Sequence, residues 1–201
     1  MAKRKPAPKP PASALADKLG YRLREGAFIA FAAICMFMFL ALASYNPNDP
    51  GWSTTGIGGG VLNAAGITGA YFSDIFFTLF GFMAFLFPIL LGYRAWLIFR
   101  ERHQPEQFDW LHFGIRIAGF CLVMLSATGL SQINVVAVAG MPEGPGGILG
   151  QLVGESCLDA FNITGARLLL LALFLFGVTI FTDLSWLRLM DETGKLTLAA
   201  W

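Results

Sequence analysis

Charge is what this chain has least of. Of its 201 residues, 14 are basic and 13 acidic, about half the charged share of an ordinary soluble domain. A soluble surface needs that charge and a disordered chain needs low hydrophobicity, so a hydrophobic content of 56% argues against both for the chain as a whole. The net charge of +1 excludes a generally basic nucleic-acid binder. Three cysteines, Cys35, Cys121 and Cys157, are too few and too scattered for a disulfide scaffold or a thiolate metal site, whose ligands come in close pairs. The two histidines, His103 and His112, have no cysteine near them and read as solvated or interfacial side chains. No nucleophile stands beside a base. Thr193-Gly194-Lys195-Leu196-Thr197 lacks the first glycine of a P-loop and has Leu196 where a hydroxyl must reach Mg²⁺. No catalytic residue, metal or cofactor is expected in this chain.

The gaps between charges locate the apolar spans, because a charge at mid-bilayer costs roughly 2.5–3.5 kcal/mol even on the gentlest scale. Four gaps stand out: Glu25 to Asp49, Asp74 to Arg94, Arg116 to Glu143 and Arg167 to Asp183. A crossing needs about 20 residues. The first three gaps suffice alone, and the fourth does so when extended to Leu187, with Arg167 snorkelling at one end and Trp186 at the other. The expected fold is therefore an all-α membrane protein with spans at about 27–43, 75–97, 113–131 and 167–187, paired as two helical hairpins. Residues 1–23 read as a disordered basic tail, 24–187 as the membrane domain, and 188–201 as the start of a linker. Ala41 and Ala43 after an apolar run imitate a signal-peptide cleavage site, but that run is long for a signal and three more spans follow.

Thirteen of the fourteen basic residues fall before the first span, between the second and third, or after the fourth; only Arg167 lies elsewhere. By the positive-inside rule both termini are expected in the cytoplasm and the 1–2 and 3–4 loops outside. The first outer loop, Ser44 to Ser53, contains two X-Pro bonds that restrict the residues before them. The second carries apolar positions Leu149, Leu152, Val153 and Leu158 at a spacing that suits a short interfacial helix over 148–161. Each loop leads from Gly-Gly to an Ile-Thr-Gly-Ala element, at 67–70 and 163–166, which suggests a parallel internal repeat. Asp74 and Arg167 follow these two elements, and equal depth would let them form a structural ion pair; the alternative is two independent interface residues. Gly114 and Ala118 on span three, and Gly81 and Ala84 on span two, offer small surfaces for close helix contact. Pro88 predicts a kink.

The run Ser44-Tyr45-x-Pro47-x-Asp49-Pro50-Gly51-Trp52-Ser53, then Asn63-x-x-Gly66-x-x-Gly69-Ala70, Ser73-Asp74, Phe80-Gly81 and Pro88, resembles the four-helix membrane domain of the FtsK/SpoIIIE DNA translocases. The likeness extends from about Arg24 to Leu187. It implies a bacterial inner-membrane protein at the division septum, hexameric, anchoring an ATP- and Mg-dependent motor and contacting other division proteins. That motor, and with it contact to DNA, lies far downstream in the family, and this chain has no Walker motif. The chain then corresponds either to the anchor of a longer protein or to a shortened product. Asp49, Pro50, Gly51 and Trp52 are the candidates for a loop of defined shape, as an internal brace or a partner contact. The rival reading is a small transporter or channel of two repeated hairpins. It lacks a polar series through mid-bilayer, since Thr78, Ser126, Thr128 and Thr179 form no evident path.

Overall fold

A computed structural model describes residues 11–56, 58–100, 109–136 and 140–199, and among these every regular element is helical. In chain order they are α1 (Pro11–Ala43), α2 (Gly66–Phe80), a 3₁₀ segment (Gly81–Phe85), α3 (Leu86–Arg100), α4 (Trp110–Asn134), α5 (Gly147–Thr182) and α6 (Trp186–Ala199). Four stretches are long and apolar enough to cross a membrane: Glu25–Ala43, Gly66–Arg100, Trp110–Asn134 and Gly147–Thr182.

Helix α1 begins at Pro11, inside the segment expected to be an unstructured tail. Proline suits the first helical turn, where its missing N–H costs nothing, and Ala-Ser-Ala-Leu-Ala-Asp-Lys-Leu after it favours helix. Residues 1–10 lie outside the described residues. Toward its other end α1 buries Met38, Ala41 and Leu42, while Ile29, Ile34 and Met36 stay exposed, as side chains facing lipid would.

The second span is broken rather than smooth. Pro88 has no N–H, and its ring would clash with the Ala84 carbonyl in a regular helix, so the chain tightens to 3₁₀ over Gly81–Phe85 before α3 resumes. At the break Gly81 takes φ +55, and a Cβ there would strike the Pro145 carbonyl. Gly147, at φ +64, lies against the Leu79 carbonyl from the other side, where a Cβ would come within 2.6 Å. The Pro145 carbonyl accepts from both Phe82 N–H (3.0 Å) and Ser131 Oγ (2.8 Å), which joins the two hairpins.

Helices α4 and α5 pack most closely. Gly119, Gly129 and Gly177 form the seam: a Cβ on Gly119 would come within 2.9 Å of Phe181 N, and one on Gly177 within 3.0 Å of Val123 N. The small residues expected to serve on α4, Gly114 and Ala118, are exposed, and Gly114 has nothing within 4 Å. Close packing of this kind suits helices in lipid, where hydrophobic burial contributes little to association. Leu90, Val123, Met124 and Phe181 form one core cluster, and Leu42, Phe77 and Ala84 form another.

Asn162, at φ 55, kinks α5. The arm before it, 147–161, fits the helix expected in that loop, but its glycine face is covered: Gly150 lies where a Cβ would meet the Thr128 carbonyl at 2.6 Å. The arm after it, 163–182, ends earlier than the expected span because Asp183 adopts the left-handed conformation (φ 58) and its N–H closes on Thr179 O. Both Ile-Thr-Gly-Ala elements thus begin directly after, or with, a residue at positive φ, Gly66 in one case and Asn162 in the other. At the same end of the bundle the Asp183 carboxylate meets Arg116 of α4 (3.1 Å) and Arg94 of α3 (3.6 Å).

Candidate functional site

The described residues of the α1–α2 connection, 44–56 and 58–65, have no regular secondary structure, so their backbone groups must find partners elsewhere. Asp49 supplies two of them. Its buried carboxylate accepts from Leu62 N–H and Asn63 N–H, both at 2.8 Å, and its own carbonyl accepts from Thr54 Oγ1 at 3.0 Å. One side chain therefore ties the first limb of the loop to the last.

Asn63 links the loop to the helices. Its amide Nδ2 donates to the Ala41 carbonyl (2.8 Å), one of the acceptors left open at the end of α1, and to Ser73 Oγ of α2 (3.4 Å). Its Oδ1 accepts from Ala65 N–H at 2.9 Å, forming an Asx turn into α2. Gly69 is small because Asn63 is there: a Cβ at 69 would sit 2.5 Å from that Oδ1. Ser44 adds a further tie, accepting from Ala64 N–H (3.0 Å) while donating to Leu40 O (2.7 Å).

Asp74, one turn beyond Ala70 on α2, is the second anchor. It is buried, and Ser53 donates to both its oxygens, N–H to Oδ2 (2.6 Å) and Oγ to Oδ1 (2.7 Å). The Tyr45 hydroxyl also bonds this carboxylate, and its pKa is pushed up to about 12, first by burial and then by the charge and hydrogen bond of Asp74. Gly51 passes directly over Asp74, and a Cβ there would lie 2.5 Å from Oδ2. Pro50 is half-buried, with its nitrogen 2.9 Å from where a Cβ on Gly56 would stand. Trp52 points away, 63% exposed.

Asp74 and Arg167 are not brought together. Arg167 lies exposed on the second arm of α5, the donors around Asp74 come from its own loop, and no ion pair joins the two among the described residues. A shared depth fixed neither helix face. Of the four loop candidates, Asp49 and Gly51 are built into the interior network, Pro50 flanks it and Trp52 is displayed. Asn63, Ser53 and Tyr45 carry as much of the geometry; they stood in the family-like motif but were not among the candidates for the brace. Their signal was a set of polar residues bordering otherwise apolar spans.

Among the described residues the hydroxyls named for a polar path do not line one up. Ser126, Thr128 and Thr179 turn their hydroxyls back onto carbonyls of their own helices, at 2.6, 2.9 and 2.9 Å. Thr78 Oγ1 is buried without a partner. Among the described residues no three His, Cys, Asp or Glu side chains gather as a metal site requires. His103 lies outside the described residues, while His112 Nδ1 contacts Asp109 (2.6 Å), the residue that caps α4 by accepting from Leu111 N–H. That contact, with the backbone bond, holds the Asp109 carboxyl below its ordinary range. Gly194 and Lys195 lie inside α6, a regular helix with no phosphate-binding loop.

Residues 21–194, which include the entire braced loop, match the model of the 4TM region of DNA translocase FtsK/SpoIIIE. The chain belongs to this family. It is 46% identical over 183 residues to the DNA translocase FtsK of Pseudomonas syringae pv. tomato, a match covering 90% of the chain and 23% of that relative. The FtsK of Pseudomonas aeruginosa is 42% identical over 93% of the chain, and DNA translocase FtsK 2 of Ralstonia nicotianae 34% over 90%. No solved structure matches it. The chain thus spans about a quarter of the length of these FtsK relatives, 23% and 24% for those of P. aeruginosa and Ralstonia. What it shares with them is the membrane region of the family and not the motor.

Proposed function

We propose that this chain is the membrane anchor and assembly region of a DNA translocase acting at the bacterial division septum. The observation that carries the reading is its match to the FtsK 4TM region together with four helices, among the described residues, long and apolar enough to cross a membrane. The mechanism is positional. The spans fix each subunit in the inner membrane with both termini in the cytoplasm, the orientation favoured by thirteen basic residues on one side against one on the other. Subunits associate, as hexamers in the reading drawn from the family, so that motors borne by longer relatives sit side by side. ATP, Mg²⁺ and DNA belong to that motor. The bilayer is the direct partner of this region, and division proteins are the others.

The braced α1–α2 loop is the contact surface in this scheme. Asp49, Gly51, Asn63 and Asp74 hold its shape from inside, and Trp52 is the side chain left for a division protein outside the cell membrane. A rival transporter function lacks support, because the hydroxyls of Ser126, Thr128 and Thr179 are taken by backbone carbonyls.

A fluorescent fusion of this chain, imaged in dividing cells, tests the reading. Septal enrichment that Trp52→Ala abolishes, with membrane insertion intact, is the expected result. Even distribution around the cell envelope would overturn the septal role, and substrate-dependent flux in liposomes holding the purified chain would favour the transporter.

A further inference from the structure

We propose that α6 is a membrane-surface helix that lies along the boundary of headgroups and acyl chains, with the lipid surface itself as its partner. The first observation is its two-sidedness. Asp191, Glu192 and Lys195 fall on one face by i, i+3 and i+4 spacing, with Leu187 and Leu198 beside Asp191 at i−4 and i+7, while Trp186, Leu189, Met190 and Leu196 fall on the opposite one. Among the described residues that apolar face has little protein cover: Met190 and Leu196 are each 70% exposed.

The second observation concerns the two polar residues on the apolar side. Thr193 Oγ1 donates to Leu189 O at 2.8 Å, and Thr197 Oγ1 donates to Thr193 O at 3.1 Å. Both hydroxyls are thereby satisfied within the helix, so neither opposes burial of this face in an acyl environment.

Position supplies the occupant. The helix starts four residues after the fourth span ends at Thr182, and Trp186 Nε1 donates back to Thr179 Oγ1 of that span at 2.8 Å. Asp183 meets Arg94 and Arg116, so the corresponding ends of α3, α4 and α5 lie together. Near that end stand Trp96, with Arg100 over its ring at 5.3 Å, and the exposed Trp110. Three tryptophans and a cluster of arginines mark a headgroup level, and α6 continues from it. Its apolar face thus extends the lipid-facing surface of the span, buried to a depth of about 5–10 Å. The helix carries two basic and two acidic residues, so attraction to the surface is apolar rather than electrostatic.

The test uses the full 201-residue chain in phosphatidylcholine liposomes, with Cys35, Cys121 and Cys157 replaced by alanine and one nitroxide label at a time on M190C, L196C, D191C or K195C. Collision with oxygen should exceed collision with a water-soluble nickel chelate several-fold at 190 and 196, with the order reversed at 191 and 195. High salt and added anionic lipid should leave the pattern unchanged. Uniformly high nickel collision would place α6 in water and overturn the proposal. Low collision with both reagents on the apolar side would mean a protein partner or a second copy, and a pattern dissolved by salt would mean charge attraction; either also overturns it. Hydrogen exchange on the chain with its native cysteines provides the second measurement. An isolated helix this short is marginal in water, so slow exchange of amides 189–198 in liposomes, lost in the M190E/L196E double variant, supports surface binding. Fast exchange in the unaltered chain contradicts it.

Discussion

Ser53 closes both oxygens of Asp74, the backbone N–H at 2.6 Å and the hydroxyl at 2.7 Å, across a separation of 21 residues. This makes the carboxylate the floor on which the Pro50-Gly51-Trp52 turn rests, and an exposed Arg167 has no part in it. Asp74→Ala should destabilise the chain by about 3 kcal/mol, since it leaves several donors open in a buried setting, whereas Arg167→Gln should change stability by less than about 0.5 kcal/mol. Resistance of the detergent-solubilised protein to SDS unfolding measures both. Equal losses would revive a pairing between them.

Gly51 and Trp52 are adjacent and should behave oppositely. Alanine at 51 would place Cβ 2.5 Å from Asp74 Oδ2, an overpacking that costs typically about 1–3 kcal/mol. Trp52→Ala removes an exposed ring and should leave unfolding unchanged while reducing crosslinking to any partner of the loop. Stability lost at 52 and kept at 51 would reverse these roles.

Tyr45 provides a pH signature. Its ordinary value near 10 is raised to about 12 in the fold, so the protonated hydroxyl is favoured by folding. The contribution is fully present below pH about 10 and is lost as pH rises through about 12. Alkaline difference absorbance should show one tyrosine titrating late, and Tyr45→Phe should remove that phase and flatten the alkaline loss of stability. Because the ring is partly open to solvent, the effect on stability is small.

The α4–α5 seam should be the least tolerant surface in the bundle. Gly177→Leu inserts a side chain where even a Cβ would lie 3.0 Å from the Val123 backbone, and a wedge of that size should cost at least about 3 kcal/mol. Gly114→Leu, at a position with nothing within 4 Å, should be silent. Cysteine crosslinking between the two helices distinguishes a parted seam from global unfolding.

The spans were legible because lipid enforces one simple rule, the exclusion of charge, and the gap from Arg116 to Glu143 encloses nearly all of the apolar run of α4. The ends were less so. Helix α2 starts at Gly66, well before the expected 75, because Asp74 is satisfied by a returning loop and does not mark the edge of an apolar helix. No periodicity foretells a partner 21 residues back in irregular chain. Small residues posed a related difficulty: the sequence offered Gly114 and Ala118 on α4, but packing shows that Gly119 is the one that faces α5. The Asn-Gly-Gly pattern was visible as a family likeness before its reason was, which is the room that Gly69 leaves for the Asn63 amide.

The shared carbonyl of Pro145 bears on how the molecule is made. Phe82 N–H, released where the second span breaks, finds its acceptor only in the connection between α4 and α5. A first hairpin emerging alone into the bilayer would carry that donor unpaired, at a cost of several kcal/mol. The two halves are consequently expected to depend on one another in membrane insertion. A chain arrested between them should be a substrate for membrane quality control rather than a smaller working anchor.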